Sequence, residues 1–269
     1  MNDRVRGFRD VDSAPAEKIE MMRKSLEFMD SLPSFQQYKN AILKEIRPNR
    51  GYIVADLGCG LGFDVRRIAE LVAPDGLAIG VDSSNVFLES ARLMNKNANG
   101  IEFIRADIQR LPFENGYLHA CKVDRTLQHI ENPSSVIEEI FRTLRSGGTV
   151  ACAEPDWDTY TIEHENAAMA RRITQVGRER IRNPWIGRRL SDELRQAGFI
   201  DVKTQDMVLA ASTFESSDKV FNIASAAAFL ADAEASEEPL QWISDAKERD
   251  RAHPVSSYVT LVLNVARKP

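Results

Sequence analysis

Two rhythms of apolar positions alternate along the middle of this chain. Short runs of Val, Ile, Leu and Ala predict strands at about 52–57, 77–82, 101–106, 117–123 and 149–154. Between them, apolar residues recurring every three or four positions predict helices at about 63–72, 84–97 and 133–145. Strand and helix in alternation predict a parallel sheet, because a parallel pair needs a crossover long enough to hold a helix. The 133–145 segment is the clearest helix. Asn132 can cap it, Pro133 suits its first position, Val136, Ile137, Ile140, Phe141 and Leu144 form one stripe, and Gly147-Gly148 is expected to end it.

Outside this region the pattern loosens. Between Glu17 and Leu43 the chain reads as irregular helix interrupted at Pro33, then as a second piece through Tyr38, Ile42 and Ile46, expected to cap a cleft. Beyond Glu154, a helix over Ile186–Ala197 leads to a strand near 200–211, and Tyr258–Ala266 forms the last strand. About forty residues separate these two strands and have helical character over Phe214–Asp232 and Pro239–Arg249; insertions that long usually act as lids or binding elements. The expected organisation is one domain: a helical cap over 1–48, a core over 49–157, and over 158–269 the rest of the sheet with lid insertions.

The chemistry concentrates in Val54-Ala-Asp56-Leu-Gly58-Cys59-Gly60-Leu-Gly62-Phe-Asp64, where an apolar strand meets a helix through three glycines. Glycine is needed where backbone turns with positive φ or passes close to a ligand, and the helix start offers unpaired N–H groups. A dinucleotide fingerprint would need glycine at position 63, which is Phe63, and no Gly-Lys-Ser/Thr follows to make a phosphate loop. Two further apolar runs end in carboxylates. Leu77–Asp82 places an acid some twenty-odd residues past the glycines, where it suits a ribose diol, and Ile101–Asp107 precedes Ile108 and a Leu-Pro-Phe turn.

This acidic-x-Gly-x-Gly-x-Gly loop, with its two following acids, resembles motif I and its companions in the class I S-adenosylmethionine-dependent methyltransferases. The chain is similar to the broad group that holds the ubiquinone and menaquinone C-methyltransferases and many natural-product tailoring enzymes. The likeness is strong over about 45–155 and rests on rhythm alone elsewhere. It implies a Rossmann-like α/β sheet of seven strands in the order 3-2-1-4-5-7-6, with strand 7 antiparallel. It also implies a site for S-adenosylmethionine made by Asp56, Gly58, Cys59, Gly60, Gly62, Asp82, Ser83, Asp107, Ile108 and Asp124. In that site Asp82 would take the ribose, Asp107 the adenine amino group, and the Ile108 N–H the ring.

Asp124-Arg-Thr-Leu-Gln-His129 matches the motif after strand 4, and Ala153-Glu154-Pro155-Asp156-Trp157 the one after strand 5 in a subset. His129 is the expected general base, since its pKa lies near neutrality; packing or cofactor contact is the alternative. Trp157 and Tyr160 could hold a planar substrate or pack in the core or lid, Glu154 and Asp156 could orient an acceptor or be solvated loop residues, and Arg125 could answer an acidic group or pair locally. By the same resemblance, Tyr38 and Gln37 of the cap would reach the methionyl end of the cofactor. His119, His164 and His253 read as surface or lid residues, and Phe214, Phe221, Ile223, Phe229, Leu230 and Trp242 as walls of an acceptor pocket, with an oligomer interface or plain lid packing as the alternative.

Composition narrows the partners. A net charge of −5 and a pI near 5.6 argue against a nucleic-acid substrate, and no apolar stretch reaches the roughly 18 residues of a membrane span. Without an apolar leader in Met1–Asp12, the expectation is a cytoplasmic protein, monomer or homodimer. Cys59, Cys121 and Cys152 are expected as reduced thiols, and no residues have metal-ligand spacing. The expected function is methyl transfer to a small-molecule acceptor of quinone or secondary metabolism, on O or N more than C. A non-methylating S-adenosylmethionine-binding protein and a protein or RNA methyltransferase are the alternatives.

Overall fold

The computed structural model describes residues 11–269; the reading of the first ten residues lies outside them. One seven-stranded sheet organises these residues: β1 Ile53–Leu57, β2 Leu77–Asp82, β3 Ile101–Arg105, β4 Leu118–Asp124, β5 Leu144–Ile162, β6 Ile200–Ala211 and β7 Ser257–Arg267. Its order is β3-β2-β1-β4-β5-β7-β6, with the first five strands parallel and β7 antiparallel to both neighbours. This is the expected topology. The crossover helices are α3 Phe63–Val72, α4 Asn85–Met94 and α5 Pro133–Thr143, preceded by α1 Ala16–Ser31 and α2 Pro33–Ile46. After β5 come α6 Ala167–Glu179 and α7 Ile186–Gln196, then α8 Phe214–Phe221, α9 Ile223–Glu234 and α10 Glu238–Arg249 between β6 and β7.

Alternate side chains on each strand enter different cores. Val54, Ala78, Ala120, Ala151 and Leu261 face the layer of α2, α3 and the lid helices, while Ala55, Ile79, Cys121, Val150 and Cys152 face α5 and α7. Both faces are buried, which is why the strands read as continuous apolar runs. Even-numbered positions of β1 and β4 share the first face, and the register sets Asp56 beside Lys122.

Three boundaries differ from expectation. Helix α5 stops at Thr143, where the hydroxyl turns back to the Glu139 carbonyl and Leu144 is already extended, so Gly147-Gly148 lies within β5 rather than at a helix end. Strand β5 runs far past 154 because β7 pairs with it up to Ile162, with an irregularity between Asp156 and Thr161. The helix expected over 214–232 breaks at Asn222, which adopts a left-handed φ of 57° between α8 and α9.

Candidate active site

Parallel strands deliver their terminal residues to one edge of a sheet, and here those residues are acids. Asp82 and Asp124 end β2 and β4, Asp56 is the penultimate residue of β1, Asp107 lies two residues past β3, and all four line a cleft of about 1600 Å³. Gly58, Cys59, Gly60, Ser83, Ile108 and His129 also line it. Gly62 does not border this cleft.

The glycine loop is built as much by packing as by ligand access. Gly58 has φ +78°, and a Cβ there would sit 2.3 Å from Thr126 Oγ1; one at Gly62, with φ +74°, would meet the Phe103 ring at 2.7 Å. The N–H groups of Gly58 and Cys59 both donate to the Val81 carbonyl at 2.7 and 3.0 Å, fixing the loop to β2. Asp82 receives the Gly60 N–H on Oδ2 and the Ser84 N–H on Oδ1, each at 2.9 Å. Burial raises the Asp82 pKa against these donors. Each carboxylate oxygen still has a lone pair for a diol. Asp107 is exposed and folds back on the Gln109 N–H at 2.9 Å.

Beneath the cleft lies a buried charge network that sequence reasoning missed. Lys122 is 2% exposed and touches three carboxylates: Asp64, Asp56 at 3.4 Å and Asp124 at 3.7 Å. Asp64 also binds Lys39 at 3.1 Å and Arg67 at 2.5 Å, and Lys39 and Arg67 both reach Asp30 at 3.0 and 2.9 Å. The cap helices α1 and α2 are thus tied to the core by ion pairs. Burial by itself would raise Asp64, but Lys122, Lys39 and Arg67 hold its carboxyl well below the usual range. Burial pushes Asp56 up to about 6, with Lys122 opposing. A lysine inside the apolar run Leu118–Val123 was the available signal, since lysine is almost never fully buried unless paired.

Several expected roles go elsewhere. Glu154 is fully buried and faces no acceptor; its carboxylate takes the N–H groups of Thr126 and Leu127 at 2.7 and 2.6 Å and Gln128 at 3.4 Å, and burial pushes it up to about 8 against those donors. Asp156 grips the Arg188 guanidinium of α7 through both oxygens. Arg125 packs locally, 4.8 Å over the Phe35 ring and 3.0 Å from Met29 Sδ. Gln37 is exposed, whereas Tyr38 donates to Asp124 Oδ2 at 3.1 Å. His119 is partly exposed on β4, where its Nδ1 accepts the Ile53 N–H at 3.1 Å and its ring stacks on Tyr52. The His164 ring lies 4.6 Å from Trp242 of the lid at a tilt of 52°, and His253 is exposed.

Apolar side chains line the rest of the cleft, Met21 and Phe28 of α1 with Trp157, Ile181, Leu209, Phe221 and Val259, and charged ones stand among them, including Lys24, Glu27, Arg180, Arg182 and Lys219. Met22 and Leu26 of α1 lie instead at the glycine-loop end, Met22 against Leu61 and Phe87 and Leu26 over Gly60. Trp157 donates from Nε1 to Gln128 Oε1 at 2.8 Å, which fixes its ring, and it meets Phe221 edge-on at 6.2 Å. Tyr160 stands behind, 4.7 Å from the Phe221 ring. Of the lid residues expected as walls, only Phe221 is one: Phe214, Ile223, Leu230 and Trp242 are core, and Phe229 is 37% exposed. Among the described residues no group of three or more His, Cys, Asp and Glu could hold a metal, and no helix is long and apolar enough to cross a membrane.

Residues 48–198 match the methyltransferase domain family. The chain belongs to that family. The chain is 36% identical over 175 residues to an uncharacterized 37.1 kDa protein in transposon TN4556 of Streptomyces fradiae, covering 65% of this chain and 51% of that protein. It is 32% identical over 139 residues to demethylmenaquinone methyltransferase of Lactococcus lactis, covering 50% and 55%. The chain thus spans about half the length of these curated relatives. The phosphoethanolamine N-methyltransferase 2 of Haemonchus contortus, solved in complex with S-adenosyl-L-methionine, shares the fold at a TM-score of 0.60 and 18% identity, over 98% of this chain and 60% of that one.

S-adenosylmethionine is the cofactor of the methyltransferase family, and the donor set of this cleft fits it. Carboxylates at Asp56, Asp82, Asp107 and Asp124 suit a ligand with an amine, a diol and a cationic sulfur, and would repel a pyrophosphate.

Proposed function

We propose that this chain transfers the methyl group of S-adenosylmethionine to a planar, largely apolar small molecule at an oxygen or nitrogen. The observation that carries the reading is the continuity of one cleft from the strand-end acids to the aromatic wall of Trp157 and Phe221. Bound S-adenosylmethionine supplies a methyl group already activated by its positive sulfur. In this reading Asp82 binds the ribose, Asp107 and the Ile108 N–H the adenine, and Asp56 and Asp124 the cationic methionyl end.

The remaining work is orientation, worth roughly 7–11 kcal/mol when reacting atoms are aligned and water is excluded. Trp157, held by Gln128, and Phe221 orient a flat acceptor, while Phe28 and Leu209 keep water from it. His129 removes the acceptor's proton as the methyl group arrives, so acceptor and imidazole end as a methylated product and an imidazolium. A quinol is the acceptor suggested by the relative named demethylmenaquinone methyltransferase, its hydroxyl oxygens being the atoms methylated in this reading; nitrogen heterocycles and phenols meet the same shape requirement. Formation of S-adenosylhomocysteine with a panel of quinols, phenols and aromatic amines tests the reading. Turnover with at least one class is expected. Tight cofactor binding without turnover on any panel member or on cell extract would favour a non-methylating binder.

A further inference from the structure

The turn Val11–Ser13 lies ahead of every recognisable motif, yet it is wired into the cofactor end of the cleft. Val11 is 4% exposed, lines the cleft, and packs in one small cluster with Met22 of α1, Leu61 of the glycine loop and Phe87 of α4. Asp12 next to it takes the Ser84 hydroxyl at 2.6 Å and the backbone N–H groups of Asn85 and Val86 at 2.9 and 3.2 Å, and lies 3.4 Å from Arg105.

Ser84 works in both directions. Its hydroxyl donates to Asp12 and accepts the Phe87 N–H at 3.2 Å, while its backbone N–H donates to Asp82, whose other oxygen holds Gly60. A carboxylate outside the sheet therefore fixes the turn that aims Asp82. Charge-assisted bonds to a helix N-terminus are among the stronger ones available to a partly exposed acid.

We propose that Val11–Ser13 is a latch on the nucleoside end of the cleft, with Asp12 a positioning residue that acts through Ser84 on Asp82, and that the latch opens for cofactor exchange. The proposal rests on the cofactor reading above. While the latch is shut, Val11 covers the ligand and Asp82 is held toward it; release requires the bonds of Asp12 to Ser84, Asn85 and Val86 to break together.

The test is the binding kinetics of S-adenosylhomocysteine, followed by tryptophan fluorescence in stopped flow, on wild type, Asp12→Ala, Asp12→Asn and Ser84→Ala. Asp12→Ala is expected to raise the dissociation rate at least tenfold and the association rate less than threefold, Asp12→Asn to fall between it and wild type, and Asp12→Ala with Ser84→Ala to exceed neither single change. A merely structural role would lower the melting temperature of the free protein and leave the dissociation rate of the folded fraction unchanged, and that pattern overturns the latch. Amide hydrogen exchange on the wild type gives a check independent of any variant: the Asn85 and Val86 N–H groups should exchange at least tenfold more slowly with ligand bound, and equal rates overturn the proposal. No binding of S-adenosylhomocysteine by wild type overturns the cofactor reading itself, whereas binding with an unaltered Asp12→Ala dissociation rate overturns only the latch.

Discussion

The two ends of the cleft are built on opposite plans. The cofactor end collects consecutive strand termini between Asp56 and Asp124, each acid tied by backbone N–H groups or a buried lysine. The acceptor end is assembled from α1, the overlong end of β5, the 177–182 turn and α8, residues that share no local pattern and meet only in the folded chain. One end is electrostatic and anchored to the sheet; the other gathers aromatic and aliphatic side chains among charged ones and is carried by insertions. The contrast teaches that affinity for cofactor and choice of acceptor reside in separable parts of the molecule, and substitutions should divide accordingly.

The largest expected effect lies beneath the cofactor end. Lys122→Met strips Asp56, Asp64 and Asp124 of their shared cation, and leaving buried charge uncompensated costs about 3–5 kcal/mol. Urea unfolding should show that loss, and a variant within about 0.5 kcal/mol of wild type would mean that the network does not support the floor. Asp82→Ala comes next. It should weaken cofactor binding by about 1.5–3 kcal/mol by calorimetry, the range for hydrogen bonds to a charged group, while the protein stays folded.

At the boundary between the ends, His129→Ala should lower kcat at least tenfold, consistent with the lower end of general-base effects of about 10²–10⁴-fold, and leave cofactor affinity nearly intact. Equal loss of both would move His129 to the cofactor side of the comparison. The pH dependence sharpens the same point. Because burial raises Asp56 to about 6 from its ordinary 3.8, its proton is lost in the folded protein only as pH climbs through 6. The folded state holds the proton that the unfolded chain has released, so Asp56 makes stability fall between about pH 4 and 6. A cationic ligand favours the ionised form, so S-adenosylmethionine affinity should rise from pH 5 to 7 and level off above, and Asp56→Asn should flatten that profile. The smallest effects separate two phenylalanines: Phe221→Ala should raise the acceptor KM several-fold with cofactor affinity unchanged, whereas Phe229→Ala, at an exposed site, should stay within about 0.5 kcal/mol of wild type in both. If the two behave alike, the acceptor wall lies elsewhere.

What the sequence determined by itself was local and periodic. Apolar runs ending in Asp56, Asp82 and Asp107 located three strand ends, alternation with amphipathic helices implied the parallel core, and glycines between a strand and a helix marked the loop. Such features are legible because a strand or a helix turn imposes its own spacing on neighbouring residues. The tertiary structure alone decided which polar groups serve chemistry and which serve the fold. Glu154 and Asp156 sit in the same segment as Trp157, yet the first is buried against the turn after β4 and the second holds α7, because the extension of β5 carries them past different neighbours. Lys122 could be seen as an oddity in its strand, but its partners come from β1, α3 and its own strand end through a register that no spacing reports. Phe214, Phe221 and Phe229 are alike in sequence as apolar positions of lid helices, and only packing sends one to the core, one to the cleft and one to solvent. A chain specifies each helix face by period, but which surface that face meets depends on residues far away in sequence.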